Sequence, residues 1–172
     1  KYLFLYLLVS LDIFFIYLIV KKKFKFKCLA AVPIFFLILT PHIIWLVQND
    51  YITIFYALSR TESGELNYFN HILYPSTFFI KQVGILVPFF IMVYFVISKL
   101  KFKINLKDRK LLFLLTINFI PIILMFLTSV FMGAQIRTMW MTPFYLFFGV
   151  FSVYLFQSQI NIKKLKNFFL SL

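Results

Sequence analysis

The sequence predicts an all-α fold, a polytopic transmembrane helix bundle of about five spans with the N-terminus outside and the C-terminus cytoplasmic. Two observations predict it. The chain is 63% hydrophobic and only 13% charged, with a mean hydropathy of +0.95, whereas soluble domains carry about 25% charged residues. Its basic residues are gathered into clusters that directly flank apolar runs, the pattern expected of cytoplasmic loops in a membrane protein.

A spanning helix takes about 20 mostly apolar residues, and the stretches 2–20, 28–46, 76–98, 111–131 and 140–156 qualify. The first is followed by the lysine cluster 21–27, the third by the basic stretch 99–110, and the fifth by a tail with Lys163, Lys164 and Lys166. These three segments hold every basic residue except Lys1, Arg60, Lys81 and Arg137. Positive-inside topology puts all three in the cytoplasm, which leaves 47–75 and 132–139 together on the outer face. The reading is a single transmembrane domain, 1–172, with an outer loop at 47–75 and cytoplasmic basic loops at 21–27 and 99–110. An outside N-terminus that opens on Lys1 leads us to expect the C-terminal portion of a longer, multi-pass protein of the inner (plasma) membrane.

Pro33, Pro41, Pro88, Pro121 and Pro143 fall within or at the ends of the runs, where they kink helices. In the outer stretch, Asn49 and Asp50 are placed to cap a short helix running to about Arg60, with strand-like alternation over the same residues as the rival. Ser63-Gly64 marks a turn, and Pro75 suits the first turn of the next span.

Composition also excludes functions. The net charge of +13 sits beside spans, so nucleic acid is not an expected partner. Only four glycines occur, with no phosphate-binding glycine loop, no G-x-S-x-G and no HExxH, so a soluble nucleotide-dependent or zinc hydrolase site is unsupported. Cys28 reads as a small apolar residue, and no metal-ligand spacing links it to His42 or His71. No motif specifies a cofactor.

The stretch 41–75 concentrates chemistry: it holds Asp50, Glu62 and Glu65, both histidines and Arg60. His42, Trp45 and Asn49 share one face of the second run, with Trp45 doubling as an interfacial anchor. Asp12, in the middle of the first run, is either a functional intramembrane acid or one bonded to Tyr or Ser hydroxyls inside the bundle. Arg60, Lys81 and Arg137 stand apart from the cytoplasmic clusters, and the topology brings them to one outer rim. Cations held there against the positive-inside trend fit an anionic partner such as a lipid phosphate, or else touch ordinary headgroups.

PHIIWLVQNDYITIFYALSRT (41–61), HILYPSTFFIKQ (71–82) and GAQIRTMWMTPFYLFFGV (133–150), with P-x-x-x-W at Pro41 and Trp45 and W-x-x-P-x-Y at Trp140, Pro143 and Tyr145, are spread over residues 41–150 of the chain. Together they resemble the later helices of bacterial glycosyltransferase family 39, dolichyl-phosphate-mannosyltransferase-like membrane enzymes. The resemblance implies transfer of a sugar from a polyprenyl-phosphate donor to a lipid or glycan acceptor on the outer face. It gives Arg60, Lys81 and Arg137 to the donor phosphate, and His42, Asn49, Asp50 and His71 to sugar or acceptor hydroxyls. The family's acidic base belongs to a loop after the first helix, which this sequence lacks, so no catalytic residue is assigned here. The alternatives are a membrane transporter or lipid flippase, with Asp12 and Lys81 as pathway charges, and a non-catalytic membrane subunit.

Overall fold

The computed structural model describes residues 3–59, 68–97 and 104–161, with Lys166 and Phe169. Arg60, Glu62, Ser63, Gly64, Glu65, the basic stretch 99–103, Lys163 and Lys164 lie outside the described residues, as does the side chain of Cys28. The chain forms α1 (Phe4–Val20), a 3-10 turn (Phe26–Ala30), α2 (Ala31–Gln48), α3 (Ile52–Ser59), α4 (Asn70–Val96), α5 (Arg109–Met132), a 3-10 segment (Thr138–Tyr145) and α6 (Phe148–Phe156). Among the described residues there is no strand, only one antiparallel bridge between Ile97 and Ile160.

Three of these helices, α2, α4 and α5, are long and apolar enough to cross a membrane. The 3-10 segment and α6 meet at 47° and make a fourth span if the bent pair counts as one. α1 is apolar but has 17 residues, about 25 Å of helix, somewhat less than the ~30 Å hydrocarbon core. Where five spans were expected, the described residues give three helices that qualify outright and a fourth if the bent pair counts as one, with α1 a shorter apolar helix beside them.

Boundaries shift too. α2 runs on to Gln48 and α4 starts at Asn70, so the expected outer loop 47–75 shrinks to the link 49–69, and Pro75 lies inside α4 instead of in its first turn. Within that link the helical alternative prevails over the strand, because Ile52–Ser59 is a helix. Asn49 is not its N-cap: the Asn49 side-chain amide donates to the Trp45 carbonyl at 2.7 Å, closing the C-terminus of α2. Asp50 and Tyr51 follow with φ of 47° and 55°, a left-handed pair that reverses the chain into α3. Asp tolerates that region, whereas a bulky Tyr seldom adopts it.

α5 is the hub, packing against α1, α4, the 3-10 segment and α6. Contacts fix the directions. Tyr6 bonds Thr128 at 2.9 Å while Phe14 meets Phe113 at 5.3 Å, so α1 runs antiparallel to α5. His71 bonds the Val130 carbonyl and Phe79 meets Phe126, so α4 is antiparallel to α5 as well. The 3-10 segment starts beside the α5 C-terminus, and Tyr154 of α6 reaches Asp108 at the α5 N-terminus. The bundle thus has two ends: a basic end with Lys21, Lys107 and Lys110, and the end where α4 begins and α5 stops.

Candidate functional site: a cationic recess at one end of the bundle

Local sequence builds this site at the second end. α5 terminates at Gly133, whose φ of +58° is the left-handed cap that glycine adopts without steric penalty. Ser129 donates to the Ala134 carbonyl at 2.8 Å, closing the turn. The chain then passes in extended geometry through Arg137 into the 3-10 segment, which returns it across α4. On α4, Tyr74, Thr77 and Lys81 stand three and four residues apart and share one helix face.

Between these two surfaces lies an open recess of about 420 Å³ lined by Tyr74, Thr77, Phe78, Lys81 and residues 135–139. Its inner wall belongs to the core, since Phe78 and Ile136 pack with Met125, Met141 and Phe144. Its mouth is polar: Lys81 and Arg137 are exposed, with Thr77, Thr138, Tyr74 and Gln135 beside them. Among the described residues no carboxylate lines it. Two cations and several hydroxyls over an apolar wall can hold an anionic head.

Behind the recess, next along α4 from Lys81, Gln82 is buried and accepts a hydrogen bond from the Tyr145 hydroxyl. Among the described residues its Nε2 has no hydrogen-bond partner. The sequence did signal this position, because an amide inside an apolar run needs a reason, yet the pairing with Tyr145 spans 63 residues and no spacing announces it.

The expected site residues divide. Lys81 and Arg137 come together in the recess, while Arg60 lies outside the described residues. The expected sugar or acceptor group is not assembled there. His42 stacks on Trp45 at 6.2 Å along α2, Asn49 caps that helix, and Asp50 sits in the strained link; none of the three lines the recess. His71 is close in the fold but otherwise engaged, its Nδ1–H donating to the Val130 carbonyl at 2.7 Å with the ring set against Gly133. Asp12, expected inside the bundle among hydroxyls, is exposed on α1; the hydroxyl of Ser10 bonds Tyr6 O instead. Among the described residues no three His, Cys, Asp or Glu side chains converge.

Fold and recess define the class: an all-α chain with apolar helices fit to cross a membrane and a cationic recess at a bundle end. No family model, curated protein or solved structure matches it.

Proposed function

We propose that this chain forms part of a membrane glycosyltransferase and holds the phosphate of a polyprenyl-phosphate-linked sugar on the outer face, for transfer to a lipid or glycan acceptor. One observation supports the reading: Lys81 and Arg137, distant in sequence, line the same recess, with no acid among the described residues that line it. A departing lipid phosphate gains negative charge as the sugar leaves, and cations fixed beside it stabilise that change. The general base is not among these residues. The chain's contribution is binding and leaving-group stabilisation.

The test compares polyprenyl phosphate with the uncharged polyprenol in lipid nanodiscs, followed by donor kinetics. Each charged hydrogen bond is worth about 1.5–3 kcal/mol, so Lys81→Ala or Arg137→Ala should weaken phosphate binding about tenfold to a hundredfold. Binding of the alcohol should not change. In sugar-transfer assays on the whole enzyme of which this chain is proposed to be a part, kcat/KM for the donor should fall while acceptor KM stays level. Arg137→Lys should recover only part, since an ammonium keeps the charge but not the two-pronged geometry. Equal binding of phosphate and alcohol, or variants within about twofold of wild type (~0.4 kcal/mol), would refute the phosphate site. Phosphate binding without sugar transfer, in the whole enzyme that also carries the acidic loop, would refute the transferase assignment alone.

A further inference from the structure

Gln82 stands next to Lys81 on α4, about 100° round the helix, so that the cation turns to the recess while the amide is buried in the bundle. It shares a helix face with Phe78, one turn earlier, which belongs to the inner wall of the recess. Its Oε1 accepts from the Tyr145 hydroxyl, and its Nε2 has no hydrogen-bond partner among the described residues. Stability does not account for such a pair. A buried amide left half satisfied is costly, whereas replacing both members of a buried hydrogen bond by apolar groups of the same shape is nearly neutral or even stabilising. Methionine at 82 and phenylalanine at 145 would fill the space at less cost. What the hydrogen bond adds to apolar packing is direction.

Tyr145 is the last residue of the 3-10 segment, and Arg137 is the residue that caps its start. The segment otherwise lies on the bundle through Met141 and Phe144, buried in the apolar cluster with Phe78 and Met125. Those contacts hold it down but are non-directional, and methionine adapts readily to a shifted neighbour. Among the described residues, the Tyr145 bond is the one hydrogen bond that runs from the segment to α4. It fastens the segment to the residue beside Lys81, and the continuous 3-10 geometry carries that anchor back to Arg137.

We infer that Gln82 and Tyr145 are positioning residues for the anion site: their bond fixes the 3-10 segment on α4 in the register that sets Arg137 and Lys81 in one recess. The inference rests on the proposal that this recess holds a lipid phosphate. Without the bond, the phosphate must itself order Arg137 as it binds, which weakens binding about threefold to tenfold.

The test measures binding of polyprenyl phosphate and of uncharged polyprenol to the chain in lipid nanodiscs, with thermal melting in the same discs. Tyr145→Phe alone, which strands the Gln82 acceptor, should melt earlier and bind phosphate more weakly. Gln82→Met combined with Tyr145→Phe should melt at or above the wild-type temperature and still bind phosphate about threefold to tenfold more weakly, with binding of the alcohol unchanged. In an Arg137→Ala background the paired change should weaken phosphate binding no further, whereas in a Lys81→Ala background it should. If the pair does not fold, Tyr145→Phe, smaller by one oxygen, carries the same comparison of backgrounds. Wild-type phosphate binding in the paired variant would overturn the inference, because the bond would then serve stability alone. Equal loss for phosphate and alcohol, or the same loss with and without Arg137, would overturn it as general damage. If Lys81→Ala and Arg137→Ala bind phosphate as wild type does, the phosphate site fails and the positioning role with it; if they weaken binding and the paired variant does not, the positioning role alone fails.

Discussion

A helix that stops inside a packed bundle leaves its last carbonyls without intrahelical donors, and at the end of α5 a single side chain from another helix meets part of that need. The half-buried His71 donates to Val130 O, with Gly133 leaving room for its ring: a Cβ at position 133 would lie 3.1 Å from His71 Nε2. His71→Ala strips the carbonyl of its partner and should destabilise the protein by about 1–3 kcal/mol. Gly133→Ala should cost about 1–2 kcal/mol from its left-handed φ alone, and the new methyl also pushes on the imidazole. The two changes spoil one arrangement, so together they should fall short of the sum. Thermal unfolding in detergent reads all three, and a fully additive pair would mean that His71 and Gly133 act separately. The sequence marks His71 as chemically able but not as engaged, because its partner is 59 residues away on a different helix. Lys81 and Arg137 were more legible, since a cation that breaks the positive-inside pattern stands out against an otherwise apolar run.

Helices were easy to read from apolar runs, but their packing was not. α1, α2, α4 and α5 are apolar on nearly every side, as suits helices in lipid, so hydrophobicity does not single out the buried face. Polar residues do better. α5, the hub, buries Asn118 and Ser129 completely, and in lipid such side chains favour helix–helix contacts over tail contacts. The same element shows how α6 is held. Asp108 is the N-cap of α5, accepting from the Lys110 amide at 3.0 Å and from the Tyr154 hydroxyl of α6. The Tyr154 bond, and then the Lys110 amide, hold the Asp108 carboxyl below its ordinary value. A depressed folded pKa means the link is fully present above the unfolded value of about 3.9, weakens as pH falls below it, and is gone once pH passes the folded value. Melting profiles against pH should therefore show an acid-side loss in wild type that is smaller in Tyr154→Phe and absent in Asp108→Asn, which should already be less stable at neutral pH. Matching acid limbs in all three would remove the link from the account.

At the scale of the whole molecule, the two bundle ends differ in a way that tests topology directly. α1 and α4 both run antiparallel to α5, so Lys21 and Lys23, which follow α1, come to the same end as Lys107 and Lys110. The Gly133 turn and the recess lie at the opposite end. That arrangement agrees with the alternation of lysine clusters, although it rests on different information: ring contacts and hydrogen bonds between helices carry no knowledge of loop charge. What neither supplies alone is which end faces the cytoplasm, and the positive-inside rule assigns the lysine end. In a Cys28→Ser background, Gln135→Cys at the mouth of the recess should be labelled in intact cells by a membrane-impermeant thiol reagent. Lys23→Cys and Lys110→Cys should be labelled only after the membrane is opened. If Gln135→Cys is shielded and the lysine positions are labelled, the bundle is inverted, and a donor carried on the outer leaflet could not reach Lys81 and Arg137. If Lys23→Cys and Lys110→Cys label from opposite sides, the shared end itself is wrong, because a helix antiparallel to α5 must return the chain to the side from which α5 starts.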